Sequence, residues 1–145
     1  YLTKIGKALT SNNLKSGLVV HGEVNYSNIG GVDELTACGE NQVFGIGKLA
    51  MEQSERWKPE RWKVESGDFS DLSGGDLAKN IQIMKTLLKG NAPDSLRNTV
   101  LLNASTALWI QGKCASLEEG IELADSLLIN GTVEHWLQKV SDFFK

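Results

Sequence analysis

The sequence predicts an α/β protein, a few strands followed by a helical layer. Two observations carry this. An amphipathic segment leads straight into a short aliphatic run, the helix-to-strand step of an α/β unit. From Asp68 onward, helical spacing, caps and stop residues recur without a further strand signal. At 145 residues, with 41% hydrophobic and 23% charged content, the chain is one domain's worth of ordinary globular sequence.

Taken in order, Leu2, Ile5 and Leu9 fall at i, i+3 and i+7, an amphipathic helix that frays into Ser11-Asn12-Asn13. Leu18-Val19-Val20 follows and ends at His21-Gly22. Such an unbroken run fits a strand over Leu18–His21 buried on both faces, as in a parallel sheet. A polar loop, Glu23 to Ile29, leads into Gly30-Gly31-Val32-Asp33-Glu34-Leu35. Asn41–Lys48 then reads as a second strand built on Val43, Phe44 and Ile46, with Gly45 and Gly47 marking a bulge or a close backbone approach. In the stretch 55–63, ERWKPERWK, a Glu-Arg-Trp-Lys unit occurs twice around Pro59. A basic-aromatic stacking surface is one reading of it. Glu55, Glu60 and Glu65 offset the charge, so it reads better as a connection whose Trp57 and Trp62 cover the core edge.

The helical part is punctuated clearly. Asp76 reads as an N-cap, Leu77, Ile81, Met84 and Leu88 follow at helical spacing, and Gly90 is the stop. Ser95 to Gly112 is apolar on almost every face, which predicts a helix buried at the centre of the helical layer. Ser116-Leu117-Glu118-Glu119 is a capping box for a helix that Gly131 ends. Val133, Trp136, Leu137, Val140 and Phe144 form one face of a last helix.

Composition narrows the function. A net charge of −3 argues against a nucleic-acid partner held by bulk electrostatics. No apolar run approaches the ~20 residues of a membrane span, so no membrane partner is expected. No signal peptide is visible, and a cytoplasmic location is expected, or a plastid one if the source is a photosynthetic eukaryote. Cys38 and Cys114 fit no ligand spacing and read as reduced thiols. Sequons at Asn25, Asn103 and Asn130 read as chance, and Asn103 lies in an apolar stretch that no glycan could reach. His135 reads as a surface residue, and neither cysteine has a histidine nearby to form a nucleophile pair. No phosphate-loop or dinucleotide-binding glycine pattern occurs.

One stretch could carry chemistry. Asp33 and Glu34 stand beside two glycines, which free the backbone and remove bulk, so a hard cation could approach both carboxylates. Alone, such a pair is most simply a solvated turn. Its place just beyond the carboxyl end of a strand, where ligands gather in open α/β sheets, raises its standing. His21 ends that strand and could orient a ligand, although a structural histidine is the simpler reading.

Residues 97–120, RNTVLLNASTALWIQGKCASLEEG, closely resemble the C-terminal helical signature of anthranilate phosphoribosyltransferases. Asp71 to Asn80 and Leu87 to Gly90 are similar to that family's preceding helix, and Leu18 to Gly22 with Gly31 to Leu35 to its strand and glycine-x-Asp-Glu motif. The resemblance implies a nucleoside phosphorylase/phosphoribosyltransferase-type fold, of which 1–145 is the C-terminal part of the α/β domain. It further implies transfer of a 5-phosphoribosyl group from phosphoribosyl pyrophosphate to anthranilate in tryptophan biosynthesis. Asp33 and Glu34 become magnesium ligands, and the full-length protein a homodimer. The family's Gly-Thr-Gly-Gly-Asp phosphate loop, its acceptor-side segments and its N-terminal helical domain are absent here. The missing N-terminal portion is therefore the expected partner, and the isolated segment is expected to be inactive. Two departures stand out: Glu23 to Ile29 is inserted before the motif, and Thr36-Ala37-Cys38-Gly39 replaces Ser-Pro-Thr-Gly. They keep an alternative in view, a non-catalytic relative of the same fold that binds other molecules, nucleic acid included. Pyrimidine nucleoside phosphorylases share the wider fold but fit the Gly-Val-Asp-Glu segment and the Leu101-Leu102-Asn103 helix less well.

Overall fold

The structure, a computed structural model, describes residues 1–26 and 30–145. Part of the inserted loop, 27–29, thus lies outside the described residues. Three strands, β1 (Ser16–Gly22), β2 (Asn41–Gly47) and β3 (Glu55–Trp57), form one sheet in the order β1-β2-β3. Both pairings are antiparallel, with Val19 opposite Phe44 and Gln42 opposite Arg56. The parallel, doubly buried strand expected at Leu18–His21 is thus corrected: these residues are half-buried, because β1 is covered by its neighbours only in part. Its aliphatic run reports β-propensity and not two-sided burial.

Helix α1 (Leu2–Thr10) lies against β1 and β2, and its buried position is Gly6 rather than Ile5, which is exposed. A side chain at Gly6 would collide with the Phe44 ring, so the missing Cβ sets how closely helix and sheet approach. β2 ends at Gly47, whose φ of +64° turns the chain back. Gly45 is equally constrained, since a Cβ there would meet the Leu49 carbonyl. After β3, Pro59–Trp62 is a single 3₁₀ turn with proline in its first turn, where a missing N–H costs nothing. Trp57 and Trp62 stack edge to face with centroids 5.3 Å apart. They are buried within the core with Leu35, Val43, Leu102 and Leu117, deeper than its edge.

Four helices follow a second 3₁₀ turn at Phe69–Leu72: α2 (Leu77–Leu88), α3 (Asp94–Ile110), α4 (Leu117–Ile129) and α5 (Thr132–Phe143). Asp76 caps α2 by accepting from the Lys79 N–H at 2.8 Å, and Gly90 follows its end with φ +72°. Ser116 accepts from Glu119 N–H at 3.2 Å, while Glu119 reaches past it to the Ala115 N–H at 2.7 Å, a capping box closed one residue further back.

Helix α3 is central, as expected, but its faces are not equivalent. Ser95, Thr99, Leu102 and Thr106 are buried on the sheet side. Leu101 packs on Ala124 and Leu128 of α4, and Arg97 pairs with Asp125 there. On the opposite face Val100, Ala104, Ala107 and Leu108 line an open apolar groove of about 690 Å³, walled by Leu87 and Leu88 of α2 and Val133 and Leu137 of α5. Neither α2 nor α5 has a buried residue. Both cysteines are free thiols, and His135 is exposed. Among the described residues no helix is long and apolar enough to cross a membrane.

Candidate functional site

The chain leaves β1 at Gly22 and returns to it at Val32. Gly22 N–H donates to the Val32 carbonyl at 3.0 Å, and Val32 N–H to the Gly22 carbonyl at 2.9 Å. Asp33 and Glu34 come next, both exposed, and the chain then dives into the core as Leu35, Thr36 and Ala37. A buried backbone must find partners for its N–H and C=O groups, and here side chains supply them. Asn103 of α3 accepts from Leu35 N–H at 3.1 Å and donates to the Leu35 carbonyl at 2.6 Å. Asn41 at the start of β2 does the same for Thr36, at 2.7 and 2.9 Å. Thr99 of α3 accepts from Ala37 N–H at 3.1 Å.

Two glycines make room for this path. A Cβ at Gly22 would sit 2.8 Å from the Glu34 carbonyl oxygen, so β1 passes directly beneath the turn. A Cβ at Gly31 would run into the His21 ring. His21 is therefore a half-buried ring against the Gly31 backbone, and among the described residues it makes no hydrogen bond.

The basic residues nearby are engaged elsewhere. Arg56 pairs with Glu23 at 2.9 Å and Glu40 at 2.6 Å, and Lys58 with Glu40 at 3.0 Å. Hydrogen bonds from Gln42 and then Arg56 hold the Glu23 carboxyl below the usual carboxylate range, and Arg56 and Lys58 do the same for Glu40. Partial burial pushes the Cys38 thiol up, the opposite of what a nucleophile needs. In the 55–63 stretch Trp57 and Trp62 are buried in the core and Arg56 and Lys58 are paired with carboxylates.

Among the described residues, Asp33 and Glu34 make no hydrogen bond or ion pair, and no group of three or more His, Cys, Asp or Glu side chains converges on a metal position. Two adjacent, solvent-facing carboxylates without protein partners suit a hard ion such as magnesium, which takes one or two carboxylates and fills its octahedron with water and substrate phosphates. They do not make a closed protein cage. Sequence reasoning found this pair but passed over Asn41, Thr99 and Asn103, whose roles depend on partners 5 to 68 residues away.

Residues 1–134 match the model of the glycosyl transferase family, a/b domain, and the chain belongs to that family. Its relatives include the anthranilate phosphoribosyltransferases of Rubrobacter xylanophilus, 32% identical over 90% of this chain and 36% of the relative, and Synechococcus sp. strain CC9311, 33% identical over 97% and 38%. The anthranilate phosphoribosyltransferase structure from Thermus thermophilus superposes with a TM-score of 0.80 at 33% identity, covering 95% of this chain and 38% of that one. The yeast enzyme, solved in complex with PRPP and Mg, shares the fold at 20% identity and a TM-score of 0.62. The resemblance to anthranilate phosphoribosyltransferases thus holds, and the chain spans well under half the length of the relatives it matches.

Proposed function

We propose that this chain is the C-terminal part of the α/β domain of a magnesium-dependent phosphoribosyltransferase. The reaction would transfer 5-phosphoribosyl from phosphoribosyl pyrophosphate to anthranilate, a glycosyltransferase step of tryptophan biosynthesis. The observation that carries this reading is the Asp33-Glu34 turn, anchored on both flanks and without a hydrogen-bond or ion-pair partner for its carboxylates among the described residues, in a chain of this family. Bound magnesium would neutralise charge that develops on the pyrophosphate leaving group. Asp33 and Glu34 supply its carboxylate oxygens. Gly22 and Gly31 keep side chains out of the turn, and Asn41 and Thr99 hold the chain just beyond it. The phosphate cradle and the acceptor pocket belong to the N-terminal portion of such an enzyme. That portion is the partner this segment requires, in a homodimer when full length, in the cytoplasm or a plastid.

The test is an assay of anthranilate consumption with phosphoribosyl pyrophosphate and magnesium. The 145 residues alone should give no turnover, because metal ligands without preorganised phosphate donors stabilise little charge. Supplied with the N-terminal portion of a relative, activity should appear. In that complex Asp33→Asn with Glu34→Gln should lower it roughly a hundredfold or more. Turnover by the segment alone, or a complex indifferent to the double substitution, would sink the proposal.

A further inference from the structure

We propose that Asn103 is a positioning residue for the Asp33-Glu34 pair, tying the metal-binding turn to the central helix. The inference rests on the assignment of Asp33 and Glu34 as metal ligands. The bridge to Gly22 uses both the N–H and the carbonyl of Val32, which fixes the peptide units 31–32 and 32–33. Asn103 uses both the N–H and the carbonyl of Leu35, which fixes the units 34–35 and 35–36. The Asp33–Glu34 peptide is the only unit left between these two anchors. The α-carbons of both carboxylate residues are therefore pinned from outside, while their side chains stay free.

Asn103 is itself locked. Its Nδ2 also donates to the Thr99 carbonyl at 2.9 Å, one turn back on α3, which orients the carboxamide. No other residue type does this work from a helix with so short a reach. Aspartate lacks the donor and adds a charge beside two carboxylates, and alanine strands two polar groups of a wholly buried residue.

The experiment measures Mn²⁺, standing in for magnesium, by the electron paramagnetic resonance of free ion against this chain in complex with the N-terminal portion of a relative, with inorganic pyrophosphate present. Asn103→Ala should weaken Mn²⁺ binding about tenfold, the usual scale for a residue that orients metal ligands. Leu101→Val, a destabilising change on the same helix facing α4, should leave it unaltered. Binding by Asn103→Ala that stays within about twofold of the wild type, or an equal loss in Leu101→Val, overturns the proposal. Asp33→Asn with Glu34→Gln separates the two claims. If that variant binds Mn²⁺ as the wild type does, the metal assignment falls and takes this inference with it. If it loses Mn²⁺ while Asn103→Ala does not, only the positioning role falls. Should Asn103→Ala fail to fold, amide exchange of the wild type decides: the Leu35 N–H should be protected like the amides of α3, and exchange at the rate of an open loop overturns the role.

Discussion

The two faces of α3 divide the molecule. The sheet-facing side carries Ser95, Thr99, Asn103 and Thr106, polar residues that are buried or half-buried, yet every buried side-chain polar atom has a partner. The opposite side carries Val100, Ala104, Ala107 and Leu108, apolar residues that line an open groove. Leu102 is buried among the polar residues, so the inner side mixes polar and apolar residues and departs from the usual amphipathic pattern, in which an apolar stripe faces the core. Thr99 and Asn103 are inside because a stretch of irregular backbone, residues 35–37, runs across them and needs hydrogen-bond partners, while Ser95 bonds Asp71 and Thr106 the Leu102 carbonyl of its own helix. Where secondary structure packs on secondary structure, apolar contact suffices; where irregular backbone packs on a helix, the helix must be polar there.

Substitutions on the two sides should separate sharply. The largest effect belongs to the inner core. Trp57→Ala removes a ring packed on both Trp62 and Trp109 and should destabilise by about 4 kcal/mol, seen as a lower urea midpoint. A loss as small as that of a surface change would show that the tryptophan cluster is not the core. On the outer side, Asp76→Ala removes the α2 cap and should cost about 1 kcal/mol. Because α2 has no buried residue, the loss should appear as faster amide exchange in α2 with the sheet unaffected. Equal acceleration in β2 would instead couple the two regions.

The smallest effect concerns the ion-pair cluster over β2 and β3. Glu23 and Glu40 have folded-state pKa values below the ordinary carboxylate value of 4.5. A lowered folded pKa means stability that is present above the unfolded value and lost as pH falls through the folded one. The thermal midpoint should therefore decline as the pH drops below about 4.5, and Arg56→Gln should flatten that decline. Arg56 is more than half exposed, so solvent screening keeps the effect small and high salt should erase most of it. A decline that Arg56→Gln leaves unaltered would assign the acid sensitivity elsewhere.

Much of the architecture was legible because its signals are local. Asp76 and Gly90 bracket α2, Ser116 opens α4, and Gly131 with φ +78° separates α4 from α5, each through contacts within a few residues. The Asp33-Glu34 pair was legible for the same reason. The sense of the sheet was not. Leu18-Val19-Val20 suits a parallel or an antiparallel strand equally, and only the hairpin-like return of β2 selects the second. Gly6 was overlooked because its role is a distance to Phe44, nearly forty residues away.

By itself, then, the sequence determined most of the helices and two of the three described strands, where helices begin and end, the family, and which two adjacent carboxylates stand beside the paired glycines; β3 at Glu55–Trp57 was read as a connection. These follow from propensity, capping and motif, which act over a few residues. Tertiary structure decided how that pair is held. Val32 is bridged to β1 and Leu35 is clamped by Asn103 of α3, 68 residues on. The hydrogen-bonding needs of a buried backbone are met by whichever side chain the fold brings within about 3 Å, and no spacing along the chain records which one that is.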